Sequence, residues 1–282
     1  MDILIVTMYN RPEYLRVCLE YLEKADGIDT KEIWVCIDRG RVLYREICEV
    51  LCDFPKLHIR TFVRDAHTYH GNTYNTMEAY KEAYASNANF VYLVEDDVLV
   101  RPDFFKWHEA VQSRSDFFCS IAYRCIRNGE ARTDINDETA YFTSRRDYAS
   151  IGVCWRRERL APVVEHARDE YYKDLSGYLA QHFPNNRFQD CFTEQDGLIM
   201  RILGVQHGNI CWPYNPRAYH IGFNGYNRPR GTRYTTEEIK SIIHDAAKVK
   251  EADRDFHDIE VVPTTSVPHW SPHELHEIQH FE

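Results

Sequence analysis

Residues 91–105 read "VYLVEDDVLVRPDFF". An apolar run at 91–94 meets three adjacent carboxylates, Glu95, Asp96 and Asp97, and an apolar stretch then resumes. Neighbouring like charges repel, and each loses hydration if the fold buries it. A short apolar run that stops at polar residues reads as a strand buried on both faces, which is the habit of parallel sheets. The acids then stand where that strand ends.

The same alternation runs back to the N-terminus. "DILIV" (2–6) reads as a buried strand, and Leu15, Cys18, Leu19 and Leu22 give the stripe of the helix after it. Asn10 is placed to cap that helix, with Glu13 completing a capping box and Pro12 in the first turn. "EIWVCID" (32–38) and "LHIRTFV" (57–63) read as strands, "VLYREICEVLC" (42–52) and "NTYNTMEAYKEAYA" (72–85) as helices. With "FVYLVED" (90–96), strand and helix alternate at about 30-residue intervals. The expected fold class is α/β, a mainly parallel central sheet flanked by helices.

Beyond residue 105 the alternation weakens. "DFFCSIAY" (116–123) and "YASIGVCW" (148–155) are expected strands, and "CFTEQDGLIMRILG" (191–204) a loop entering a helix. "NICWPYNPRAYHIGFNGYN" (209–227) is rich in turns and aromatics. Thr235 and Glu238 form a capping box for a helix near 236–250, and the acidic, His-rich residues 255–282 are expected to be loose or to wrap the body.

The 282 residues suit one large domain, and a hydrophobic fraction of 44% supplies a sizeable core. No apolar run approaches the roughly 20 residues of a membrane span. "MDILIVTMYN" lacks the basic n-region of a signal peptide, so the expected location is cytoplasmic. Nine dispersed cysteines without a CxxC pair read as reduced thiols used as small core residues. The net charge of −10 is uneven: residues 1–99 carry −6, residues 100–235 carry +3 and residues 236–282 carry −7. The Arg-rich middle is a solvated face or a surface for an anionic ligand.

Open parallel sheets bind ligands at the carboxyl ends of their strands. Strand one delivers Thr7, Asn10 and Arg11 there, strand two Asp38 and Arg39, and strand four the acidic triplet. No GxGxxG and no GxxxxGK[ST] is present, which argues against a Rossmann dinucleotide site and a P-loop. Asp103 is placed to cap the next helix, and His67 and His70 flank a loop with no assigned role.

Several segments taken together resemble the GT-A glycosyltransferases. "VTMYNRPEYLRVCLEYL" is similar to their opening, and "VYLVEDDVLVRPDFF" to their DxD motif in its GNT-I-like form. "SIGVCWRRE" resembles the acceptor-side Gly/aromatic loop, "TEQDGLIMRILG" the catalytic-base helix and "RAYHIGFNGYN" the closing His-Gly segment. The resemblance spans most of residues 1–227 and also touches the family 2-like enzymes.

It implies a GT-A fold, with residues 1–110 as the donor half, 111–235 as the acceptor and catalytic half, and 236–282 as C-terminal helix and tail. It further implies a hexosyl- or pentosyltransferase using a nucleotide-sugar donor, commonly a UDP-sugar, with Mn²⁺ or Mg²⁺. Asp97 would contact the metal with His220, and Asp96 or Glu95 would reach the donor ribose or sugar. Asp38 would address uracil or ribose, and Thr7 and Arg11 the base and diphosphate, with Asn10 on the same rim; Arg11 reads equally as an exposed first-turn side chain. Gly152 and Trp155 would floor the sugar, although Trp155 reads equally as core. Asp196, with Glu194 as understudy, would be the base of an inverting transfer, with a retaining transfer also open; both acids also suit a helix N-terminus.

Three rival readings stand beside this one: a nucleotidyltransferase, a catalytically silent nucleotide-sugar-binding module, and a glycosyltransferase acting on hydroxymethylated DNA bases. A nucleotidyltransferase should carry a Gly-rich basic loop where "TMYNRPEY" stands, and −10 overall charge opposes a nucleic acid. The acceptor stays open among a glycan, a lipid-linked sugar and modified DNA.

Overall fold

The computed structural model describes residues 1–38, 44–65, 70–114, 117–123, 141–144, 148–184, 193–213, 216–222, 234–253 and 276–279. The N-terminal half follows the sequence pattern: β1 (Asp2–Met8), α1 (Pro12–Leu22), β2 (Lys31–Asp38), α2 (Tyr44–Cys52), β3 (Ile59–Arg64), α3 (Asn72–Tyr84) and β4 (Phe90–Glu95). A short strand β5 (Val98–Val100) and helix α4 (Phe104–Arg114) follow. Then come β6 (Cys119–Ile121), β7 (Tyr141–Ser144) and β8 (Val153–Arg156). Three short helices, α5 (Ala161–Val164), α6 (Asp169–Lys173) and α7 (Leu175–His182), precede α8 (Gln195–Gln206). The rest is β9 (Ile210–Pro213), β10 (Ala218–His220), α9 (Thr236–Asp253) and β11 (His276–Gln279).

The main sheet runs β11-β7-β9-β6-β8-β4-β1-β2-β3. It is parallel through β3-β2-β1-β4 and mixed beyond, where β8 pairs antiparallel with both β4 and β6. The chain lays β2 and β3 on one side of β1 and returns to place β4 on the other. The seam between β1 and β4 is therefore the switch point, where the loops at the carboxyl ends diverge and leave a crevice.

The central strands bury both faces. Ile3, Ile5, Trp34 and Leu93 join Met77 and Tyr80 of α3 in one core. Leu4, Val6, Ile33, Val35 and Val94 join Leu15 and Leu19 of α1 and Ile47 of α2 in the other. Cys18, Cys36, Cys119, Cys154 and Cys211 are free and buried, as small core residues should be. Among the described residues no helix is long and apolar enough to cross a membrane.

Several expectations shift. Asn10 does not cap α1: the N-cap residue is Arg11, with no side-chain cap bond. The reason is Pro12 at the first helical position, which bars the α region to the residue before it; Arg11 sits at φ −122°, ψ 66°. The strand expected over 148–155 is cut to Val153–Arg156 because Gly152 takes φ +66°. A Cβ at Gly152 would lie 2.8 Å from Ala218 Cβ, so β10 packs there only against a glycine. Asp103 spends its carboxylate on buried Arg217 (Nε to Oδ2, 3.1 Å). The Thr235 and Glu238 capping box does form: the Glu238 N–H donates to Thr235 Oγ1, and the Thr235 N–H to Glu238 Oε2. The start of α9 then packs Ile239 and Ile243 against Tyr14 and Val17 of α1, with Lys240 paired to Glu20.

Candidate active site

The triplet sits at the carboxyl end of the β1/β4 seam. Glu95 ends β4 opposite Thr7, and the Asp96 N–H donates to Thr7 O at 3.0 Å, so the ladder continues one step past the strand. Asp96 and Asp97 then form the tight link to β5. Antiparallel pairing of β5 with β10 sets His220 opposite Val98, and the Ile221 N–H donates to Asp97 O at 2.8 Å. A residue 123 positions away thereby reaches the triplet: His220 Nε2 lies 3.4 Å from Asp97 Oδ2.

Asp96 is 1% and Asp97 3% exposed, so their charges need partners. Arg11 supplies them. Its guanidinium forks onto Asp96, with Nε to Oδ2 at 3.2 Å and Nη2 to Oδ1, and reaches Asp97 Oδ2 through Nη1 at 2.8 Å. Burial works against the Asp97 charge, but Arg11 and then His220 outweigh it and hold that carboxyl well below the usual carboxylate range. For Asp96 the two ends of the ion pair pull differently. Arg11 is driven further toward its charged form, while burial, aided by Asp97, raises the Asp96 proton affinity despite the fork. The bidentate geometry and an always-charged guanidinium make the ionised pair the governing form near neutral pH. Burial, Asp97 and Asp196 also raise Glu95.

Asp196 stands in the first turn of α8 and accepts a short hydrogen bond from Ser150 Oγ. Burial pushes its carboxyl up to about 6, against the Ser150 bonds, with Glu194 adding to the rise. Glu194 is the exposed N-cap residue of α8 and makes no side-chain cap bond. A chain of contacts links this helix to the triplet. Asn72 Nδ2 donates to Glu95 Oε1 at 2.8 Å, and the next residue, Thr73, donates through Oγ1 to Gln195 Oε1 at 2.7 Å. The N-termini of α3 and α8 are thus locked at one rim.

The other expected residues fall as follows. Thr7 is buried beside Glu95, and its Oγ1 makes no hydrogen bond among the described residues. Asp38 ends β2, 5% exposed, with Asp38 Oδ2 3.8 Å from where a Gly71 Cβ would stand. Asn10 is half-buried on the β1 loop. Gly152 belongs to the β8 approach already described. Trp155 is placed in the core: fully buried, its Nε1 donates to Tyr80 Oη at 3.2 Å and its rings pack on Tyr80 and Phe118. Arg39, His67, Gly225 and residues 254–275 lie outside the described residues. Sequence reading passed over Ser150, Asn72, Thr73 and Gln195. Asn72 had a signal, since it opens the helix after β3 and so faces the same rim; Ser150 had none.

The divalent cation implied by the resemblance finds a fitting place at Asp97. Asp97 Oδ1 is buried with no hydrogen-bond partner among the described residues, and His220 Nε2 lies beside the other oxygen, Oδ2. Only a glycine at 222 lets the backbone come this close to the pair, since a Cβ there would lie 2.5 Å from Asp97 Oδ2 and 2.8 Å from His220 Nε2. Among the described residues no group of three potential ligands forms. Two protein ligands with substrate phosphates and water completing the shell is how hard cations bind nucleotides.

No family model and no curated protein matches the chain. Solved structures do. S. aureus TarS 1-349 aligns at TM-score 0.52 and 16% identity, covering 92% of this chain and 68% of that one. The galactosyltransferase LgtC with donor and acceptor sugar analogs aligns at TM-score 0.49 and 14% identity, covering 86% and 95%. The mannosyltransferase PcManGT from Pyrobaculum calidifontis, in complex with GDP-Man and Mn²⁺, aligns at TM-score 0.47 and 13% identity, covering 90% and 64%. The chain has the GT-A fold.

Proposed function

We infer that the protein is a glycosyltransferase that moves a sugar from a nucleoside diphosphate sugar, commonly a UDP-sugar, to an acceptor hydroxyl with inversion at the anomeric carbon. One observation carries this reading. At the switch point of a GT-A sheet, buried Asp97 meets His220 through Oδ2 and keeps Oδ1 without a hydrogen-bond partner among the described residues, and a chain of hydrogen-bonded neighbours leads from the same triplet to the helix of Asp196.

Residues 1–110 would hold the donor. Asp38 and Thr7 face the nucleoside, Asn10 lines the same rim, and Glu95, steadied by Asn72, faces the sugar. Asp97 and His220 would hold Mn²⁺ or Mg²⁺, which when bound neutralises charge on the departing diphosphate. Within 111–235, Asp196 takes the proton of the acceptor hydroxyl. That oxygen bonds to the anomeric carbon as the bond from carbon to diphosphate oxygen breaks, and the diphosphate leaves with the electron pair. A base raised to about 6 is deprotonated at neutral pH yet basic enough to accept a proton in the transition state. Ser150 fixes its orientation.

The test is hydrolysis or transfer from a panel of nucleotide sugars with Mn²⁺. Asp97→Ala should reduce turnover by at least about 10²-fold, the scale for losing a group that stabilises developing charge. Donor binding without turnover would leave a silent binding module, and absence of metal-dependent binding to any nucleotide sugar would sink the reading.

A further inference from the structure

The cationic partner of the buried carboxylates is already within the chain. We propose that Arg11 is the resident counter-cation of Asp96 and Asp97: it holds both while no divalent cation is bound, and yields Asp97, but not Asp96, when a cation arrives with a nucleoside diphosphate. This rests on the donor-site reading above and adds how the site is loaded.

The contacts are unequal in a way that sets the direction of the exchange. Asp96 receives two guanidinium bonds and is 1% exposed, so Arg11 is its principal counter-charge. Asp97 receives one, from Nη1 to Oδ2, the oxygen that also faces His220 and Gly222, and its Oδ1 has no hydrogen-bond partner among the described residues. The Arg11 side chain is 23% exposed and its guanidinium lies 5.1 Å over the Tyr14 ring. It can therefore pivot on its Asp96 fork without leaving its packing.

A divalent cation at Asp97 faces Nη1 of Arg11 at close range, and like charges that near oppose one another strongly in a partly buried site. A bare cation must displace that contact without recompense. A nucleoside diphosphate changes the balance, because its oxygens accept from the released guanidinium in the manner that suits arginine. Cation and nucleotide should then bind with positive coupling, and coupling is reciprocal. Arg11 acts as a positioning residue that makes the loaded site conditional on the nucleotide.

The experiment measures Mn²⁺ binding to the full chain by electron paramagnetic resonance, alone and with UDP or GDP. Wild type should bind Mn²⁺ weakly alone and at least tenfold more tightly with the matching nucleotide. Arg11→Gln should tighten Mn²⁺ alone by about tenfold and cut the coupling factor toward one, an outcome opposite in sign to the loss of a metal-site residue. Arg11→Lys keeps the charge but loses the fork, so its Mn²⁺ affinity should fall between the two; it also decides the matter if the Gln variant does not fold. Unchanged or weakened binding of Mn²⁺ alone in the folded variants, with nucleotide coupling intact, overturns the counter-cation role while leaving the donor site standing. No Mn²⁺ binding to wild type even with nucleotide overturns both.

Discussion

At the scale of single residues, environment gives the site's carboxylates different acidities. Asp97 is held strongly acidic by Arg11 and His220, which suits the cation ligand proposed for it. Asp196 is raised to about 6 by burial, as suits a base. In saturating substrates kcat should therefore rise with pH through about 6, and Asp196→Asn should lower it by about 10²–10⁴-fold without that limb. Stability should move the other way. An acid whose folded pKa lies above its unfolded value penalises the fold above that pKa and not below the unfolded one. The Asn variant should thus be more stable than wild type by about 1–2 kcal/mol at pH 8, with the gain shrinking toward pH 4. Thermal melts at the two pH values check the sign. The sequence marked the acidic triplet by its place at the end of a strand, while Asp97, His220 and Asp196 were singled out individually by the resemblance. It gave no hint that Arg11 would fork onto Asp96, because no local pattern encodes a contact between residues 85 apart.

At the scale of elements, the site depends on small residues where strands cross. Gly152 combines φ +66° with a Cβ position 2.8 Å from Ala218 of β10. Gly152→Ala would meet backbone strain and overpacking together, at a cost of about 2–4 kcal/mol. Because β10 carries His220, the same change should also weaken Mn²⁺ binding, and chemical denaturation with metal titration would read both. The periodicity showed β1 through α3 within a residue or two, because each strand is buried on both faces and each helix carries one apolar stripe. It missed the cut before β8, since a positive-φ glycine looks the same in sequence as any other. It also left α5, α6 and α7 unread, being turns too short to show a helical period.

For the whole molecule, donor and cation should act as one ligand. With both at about a hundredfold above their dissociation constants, stabilisation is about 2.7 kcal/mol. For a domain of this size that is a rise in Tm of about 5–10 °C, with little from either ligand alone. A thermal-shift screen of nucleotide sugars with and without Mn²⁺ gives the donor directly; equal shifts without metal would contradict the proposed site. Helix α9 braces α1 through Ile239, Ile243 and the pairing of Lys240 with Glu20, steadying the helix that begins beside Arg11.

Strand-and-helix alternation, the burial of β1, β2 and β4, and the gathering of Thr7, Asp38 and the acidic triplet at one rim were determined by the sequence itself. They follow from local periodicity and from the rule that parallel strands expose polar groups at their carboxyl ends. Only the tertiary structure decided what those groups do to one another. The β5 and β10 pairing brings His220 to Asp97, α1 delivers Arg11 to Asp96, and the bridge from Thr73 to Gln195 sets Asp196 on the same rim. Electrostatic roles arise from charges within a few ångströms, and which distant residues come that close is fixed by packing rather than by any stretch of chain.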